Sequence, residues 1–143
     1  MADLNFIIVT GVATKDAVLR HRASGIAKAE FSLEVERPFT RANGDAVSDL
    51  FLVDIYGPLA ERCVDMVQQG TRVMVVGMLN KECYVTRHGR REHIVVIKAK
   101  YFRVLRGDVP VLRQLPMEAL KTDHWTEALI VDCIQKCSRL FTE

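Results

Sequence analysis

The chain has 143 residues, charged side chains of both signs and a formal net charge of +2. That length suits one domain of roughly 100 to 200 residues with a sizeable core, and the absence of about 20 consecutive apolar residues excludes a membrane-spanning helix. A charge of +2 is ordinary for a soluble protein, so affinity for an acidic partner has to be sought in where the charges fall.

The opening "MADLNFIIVTG" has no basic flank and no small-residue cleavage site, which makes a reducing cytoplasm the expected compartment. Within it, "LNFIIVTGV" is a β-branched run suited to a strand. Val18 to His21 form a second short strand leading to the Ser24-Gly25 turn. The chain returns through "IAKAEFSLEVE", where Ala27, Ala29, Phe31, Leu33 and Val35 alternate with Lys28, Glu30, Ser32, Glu34 and Glu36. Period two means a strand with one wet face. Arg37-Pro38 is expected to end it, since proline lacks an amide donor, and a loop over residues 38 to 46 carries the strong turn dipeptide Asn43-Gly44.

The next strand runs from Val47 to Tyr56 and stops at Gly57-Pro58, where proline suits the first turn of a helix. That helix is expected over Leu59 to Gln69, with Leu59, Ala60, Cys63, Val64 and Val67 on its apolar face and Gly70 as its stop. Then come "TRVMVVGMLN", the polar "KECYVTRHGRRE" and "HIVVIKAKYFRVL", two strands around a loop with His88-Gly89 at its tip. Five strands with a single helix between the third and fourth are what a small OB-type barrel requires, with an open α+β sandwich as the competing architecture. The fold class is therefore all-β with accessory helices, the barrel domain spanning residues 1–108.

Residues 109–143 form a connector punctuated by Pro110 and Pro116 and a C-terminal amphipathic helix, capped by Asp123. Its stripe is Trp125, Leu129, Ile130, Cys133, Ile134, Cys137, Leu140 and Phe141, which needs burial against the barrel or another chain.

No pattern argues for catalysis or a cofactor. "GVATKD" lacks the G-K-[ST] of a phosphate loop, and His21, His88, His93 and His124 have no metal-ligand spacing. Cys63, Cys83, Cys133 and Cys137 show neither C-x-x-C nor a zinc-finger cluster and are expected to be reduced, mostly buried thiols. Binding is better supported. Arg87, Arg90, Arg91, Lys98, Lys100, Arg103 and Arg106 face a single acid, Glu92, and Tyr84, Tyr101 and Phe102 interleave with them. Arg20, Arg22, Arg37 and Arg41 add cations in the early hairpins. A groove for single-stranded nucleic acid needs both cations for phosphates and rings for bases.

The segments "GVATKDAVLRHRASGIAKAEFSLEVERPFT", "DLFLVDIYGPLAERCVDMVQQGTRVMVVGMLNKECY" and "GRREHIVVIKAKYFRVL", in this order over about residues 4 to 106, resemble the bacterial single-stranded DNA-binding protein family. The resemblance implies an OB fold, a homo-oligomer with a tetramer favoured, nucleoid association, and sequence-independent wrapping of single-stranded DNA in replication, recombination or repair. Residue by residue, it implies stacking roles for Phe39, Tyr56 and Tyr84. Leu50 falls where many members carry a tryptophan or phenylalanine, and Phe51 beside it is a further candidate ring. Alternation puts Phe51 and Val53 on one strand face and Leu50, Leu52, Asp54 and Tyr56 on the other, so Tyr56 is expected to face the groove. The expected DNA-binding set is thus Phe39, Tyr56, Tyr84, Phe51, Arg20, Arg22, Arg37, Arg41, Arg87, Arg90, Arg91, Lys98 and Lys100.

The family's usual ending, a flexible linker with an acidic tip closing in Pro-Phe that recruits other proteins, has no counterpart in "CSRLFTE". A primosome-like accessory or scaffold protein, docking a protein partner through residues 117–143, is the alternative reading. RNA is the alternative ligand, because a stacking groove accepts either sugar unless the 2'-hydroxyl is recognised.

Overall fold

In a computed structural model, residues 1–142 are described, and they fall into two compact units. The first takes residues 1–35 and 48–105, the second residues 36–47 and the chain from Arg106 onward.

Alternation and β-branched content build the barrel from strands β1 (Ile7–Ala13), β2 (Val18–His21), β3 (Ala27–Thr40), β4 (Ala46–Tyr56), β5 (Arg72–Val85) and β6 (Arg91–Val104), with helix α1 (Pro58–Met66) between β4 and β5. The hydrogen-bonded order is β1-β5-β6-β4-β3-β2, and a further β1–β3 pairing joins the ends. Both β1 and β2 pair with β3, at Val12↔Glu34 and Ala13↔Leu33 and then at Val18↔Glu30 to His21↔Ala27. They are one barrel strand broken near Ser32's partner Thr14, whose amide donates to the Ser32 carbonyl. Counted so, the barrel has five strands and its helix lies between the third and fourth. β4 and β6 pair in parallel, Leu52↔Val96 to Ile55↔Ala99, which needs the crossover that α1 and β5 supply. This is the OB architecture, and the β1–β3 closure rules out the open sandwich.

Closure depends on two glycines. A Cβ on Gly11 would meet the Glu34 carbonyl oxygen, and one on Gly77 the Lys98 carbonyl oxygen, where the β5–β6 register shifts between Val76 and Gly77.

Inward positions of each strand fill the barrel: Ala29, Phe31 and Leu33 of β3, Val53 and Ile55 of β4, Val73 and Val75 of β5, Ile97, Ala99 and Phe102 of β6. Ala60 and Cys63 of α1 join this core. Burial pushes the Cys63 thiol up to about 12, so it packs as a small protonated hydrophobe. The other thiols are less enclosed than expected: Cys83 is exposed, and Cys133 and Cys137 are half-buried.

Three boundaries differ from the sequence reading. β3 continues through Pro38 to Thr40, because β1 and β2 pair only with its first half and a strand paired on one side tolerates a missing amide. The turn is confined to residues 41–45, where Arg41 donates to the Asp45 carbonyl and Gly44, at φ 88°, donates back to Arg41. α1 ends at Met66, since buried Val67 turns extended and accepts from the Ala17 amide; Gly70 instead shapes the entry to β5, donating to the Ala13 carbonyl. The β5–β6 strands also reach further than expected, so Cys83, Tyr84 and Val85 are strand residues.

The second unit holds the β3–β4 tip and four short elements: α2 (Pro110–Gln114), α3 (Met117–Leu120), α4 (Glu127–Ser138) and a 3-10 turn, Arg139–Phe141. Pro110 opens a helix rather than merely interrupting a connector. α2 packs against α4, with Val111 and Leu140 buried and Arg139 donating to Gln114 Oε1 at 2.6 Å. The cap of α4 is Thr126, not Asp123: its Oγ1 accepts from the Leu129 amide at 3.2 Å. No helix among the described residues is long and apolar enough to cross a membrane.

Candidate nucleic-acid interface

Alternation along β4 turns Val53 and Ile55 into the barrel and packs Phe51 against that core. Leu50, Leu52, Asp54 and Tyr56 take the opposite face. The apolar run is therefore half core and half display. Phe51 belongs to the first half, and the structure does not bring it together with Tyr56.

Tyr56 is held by cations. The Arg22 guanidinium lies 4.5 Å from the ring centroid and donates to the phenolic oxygen at 2.8 Å. Lys98 Nζ lies 5.2 Å from the centroid and donates to the same oxygen at 3.4 Å, and Lys28 Nζ stands 5.7 Å away. Contacts of this kind attract through the ring quadrupole.

These cations are themselves paired, in a ladder that crosses five strands. Arg20 of β2 meets Glu30 of β3 at 3.1 Å, Glu30 meets Lys28 at 2.7 Å, and Lys28 reaches Asp54 of β4 at 3.4 Å. Asp54 meets Lys98 of β6 at 2.9 Å, and Lys98 also pairs with Glu82 of β5. Burial alone would lower the Lys98 and Lys28 ammonium groups, but hydrogen bonds to Glu82, Asp54 and Tyr56 in one case and to Glu30 in the other, with the charge of Asp54, raise both. The Lys28 hydrogen bond holds the Glu30 carboxyl below its ordinary range. Asp54 is the buried anchor, 6% exposed.

Tyr84 stands opposite Glu92 in the β5–β6 ladder, two residues from Glu82 and so on the same face, with 49% of its surface exposed. Tyr56 and Tyr84 thus share one side of the sheet, with the Lys98–Glu82 pair between their strands. Beyond Tyr84, a tight turn places exposed Arg87, Arg90 and Arg91, which have no ion-pair partner among the described residues; Thr86 donates to the Arg90 carbonyl at 2.9 Å. Lys100 is likewise exposed and without such a partner.

Phe39 belongs to the second unit, exposed on the outer part of β3, with the Arg37 guanidinium 5.9 Å from its centroid. Arg41 begins the adjoining turn. Arg37 and Phe39 are thus in ring contact at this tip.

Several members of this arrangement escaped the sequence reading. Lys28, Glu30 and Asp54 were visible only as the wet face of alternating strands. Their partners Arg20, Lys98 and Glu82 lie on other strands, so only the barrel topology brings them together. Arg62 of α1 joins Tyr56, Pro58, Leu59, Ala99 and Lys100 around an open depression of about 390 Å³. Its signal was the helical spacing from Pro58 and Leu59. No group of three or more His, Cys, Asp or Glu side chains among the described residues could hold a metal ion.

The family described as "Single-strand binding protein family" matches residues 4–105. The chain is 34% identical over 104 residues to a single-stranded DNA-binding protein of Enterococcus faecalis, an alignment covering 73% of this chain and 55% of the relative. It is 29% identical over 104 residues to the protein of that name from Streptococcus pneumoniae serotype 4, covering 73% of this chain and 67% of the relative. Against the protein of the same name from Streptococcus pyogenes serotype M1 it is 30% identical over 104 residues, with 73% and 64% covered. The chain thus spans little more than half to two thirds of the length of these relatives.

Proposed function

The chain belongs to the single-strand binding protein family, and from that premise we propose that it binds single-stranded DNA without sequence preference, serving replication, recombination or repair. Bases stack on Tyr56 and Tyr84 of the barrel and on Phe39 of the β3–β4 tip. Every base has a π-face, so a stacking platform is tolerant of sequence, at about 1 to 3 kcal/mol per base.

The observation that carries this reading is Tyr56: a ring clasped by Arg22 and Lys98, beside exposed Leu50 and Leu52 and on one sheet face with Tyr84. The cations divide into two jobs. Arg20 and Lys98 are committed to Glu30, Asp54 and Glu82, and their role is to position Tyr56. Arg22, Arg41, Arg87, Arg90, Arg91 and Lys100 neutralise phosphates, and Arg37 lies beside the Phe39 ring. Residues 1–108 act as the DNA-binding domain, and the protein assembles as a homo-oligomer, a tetramer by family resemblance.

The test is binding of labelled oligothymidylate to a folded Phe39→Ala/Tyr56→Ala/Tyr84→Ala variant. Loss of three stacked bases should weaken capture by about a hundredfold or more, at about 1 to 3 kcal/mol each. Unchanged affinity would remove the stacking reading.

A second reading is favoured by α4, whose Ile130, Val131 and Ile134 are exposed: residues 117–143 dock a protein partner or a second copy. Deleting them should then abolish assembly or partner capture while leaving oligonucleotide binding in place.

A further inference from the structure

Tyr56 has a second neighbourhood, away from the charge ladder. Its ring helps to wall the open depression of about 390 Å³ whose other lining residues are Pro58, Leu59, Arg62, Ala99 and Lys100. The local sequence explains why these meet. Gly57, at φ 80°, turns the chain out of β4, Pro58 starts α1, and Leu59 and Arg62 follow one helical turn apart on one face. Lys100 is the extra residue of the β5–β6 irregularity: Gly77 pairs with Ala99 and Val76 with Tyr101, leaving Lys100 without a partner across the ladder. Bulges of this kind re-aim a side chain.

The two sides of Tyr56 differ in charge. On the ladder side, Glu30, Asp54 and Glu82 occupy the cations and would repel a phosphate. On the depression side, Arg62 and Lys100 are exposed, and among the described residues no acid lines the hollow and neither cation has an ion-pair partner. The floor of Pro58 and Leu59 is apolar. A hollow with one ring, an apolar floor and two open cations matches the chemistry of a single nucleotide unit, and its volume lies in the range of about 300 to 1,000 Å³ usual for small-ligand sites.

We infer that this depression is a nucleotide subsite: when a base stacks on Tyr56, the adjoining sugar lies over Pro58 and Leu59, and its phosphate is held between Arg62 and Lys100. The inference rests on the single-strand reading above and adds a direction to it, because on the side of Tyr56 away from Tyr84 the strand continues toward α1.

The experiment is a salt series of labelled-oligothymidylate binding, followed by anisotropy, for the intact protein and the Arg62→Ala, Lys100→Ala and double variants, with Lys15→Ala as control. Each phosphate contact on a single strand contributes about 0.7 to the log-log salt slope. The double variant should flatten that slope by about 0.7 and weaken binding at low salt by at least about tenfold, while Lys15→Ala behaves as the parent. A double variant with the parental slope and affinity overturns the subsite alone. If the parent itself fails to bind, the single-strand reading falls and takes the subsite with it. Should the alanine variants melt early, Arg62→Gln/Lys100→Gln decides by the same criteria.

Discussion

Lys98 stands directly opposite Asp54 in the parallel β4–β6 ladder, and its ammonium lies 2.9 Å from Asp54 Oδ2. Asp54 is 6% exposed and also faces Lys28 at 3.4 Å, so one buried carboxylate balances two cations behind the Tyr56 ring. Breaking a buried pair leaves an uncompensated charge and costs about 3 to 5 kcal/mol. Asparagine keeps an acceptor, so Asp54→Asn should lower unfolding stability by about 1 to 3 kcal/mol in urea. The same change releases Lys28 and Lys98 toward a phosphate and should steepen the salt slope of oligonucleotide binding by about 0.7. A variant that is destabilised with an unaltered slope would mean that neither ammonium can reach the strand.

The ladder also sets a pH dependence. The Glu30 carboxyl is held low by Lys28, so its contribution is fully present above its unfolded value near 4.5 and is lost as pH falls through the depressed folded value. Lys28 and Lys98 are raised, so theirs is fully present below about 10.5 and is lost as pH rises through the folded values. Stability should therefore be flat between about pH 6 and 9 from these groups and fall on both sides. Urea midpoints of the parent and Glu30→Gln between pH 6 and 3 check the acid limb, which the variant should make shallower.

Much of this frame was legible in the chain. Alternation from Ala27 to Glu36 announced β3 and its wet face, and Gly57-Pro58 announced the start of α1. Pro38 misled because an amide is needed only where a partner strand lies, and pairing is not written in local sequence. Asp123 misled because several polar residues can cap a helix, and Thr126 is the one whose hydroxyl reaches the Leu129 amide. The rings were found as types, yet their setting was not: Glu82 and Lys98, or Arg22 and Tyr56, meet only once the barrel closes.

Closure itself is testable at Gly11. A methyl there would meet the Glu34 carbonyl oxygen and lie 2.9 Å from Leu33 Cγ, so β1 and β3 would have to separate. Overpacking costs about 1 to 3 kcal/mol and more where backbone must shift. Gly11→Ala should accordingly lower the thermal midpoint by several degrees or more, and Gly77→Ala, facing the Lys98 carbonyl, should do the same. Gly107→Ala offers a contrast: among the described residues no atom stands near the added methyl, and the cost is that of its φ of 65° alone.

Leu50 allows a gain to be sought as well as a loss. It is 63% exposed on the face that carries Leu52 and Tyr56, so a ring placed there would have open surface on which a base could lie. Leucine already offers apolar contact, but it lacks the flat π-face that makes stacking worth about 1 to 3 kcal/mol per base. Leu50→Trp should leave the barrel's stability within about 0.5 kcal/mol, because the site is on the surface. It should tighten oligothymidylate binding by about fivefold or more, and the new indole's fluorescence should be quenched as the strand is added. Trp125, the other indole, belongs to the C-terminal unit, so the parent supplies the background signal. If affinity is unaltered and the new fluorescence is indifferent to the oligonucleotide, the strand does not cross the outer face of β4 at Leu50, and its path along Tyr56 must lie wholly on the side of α1.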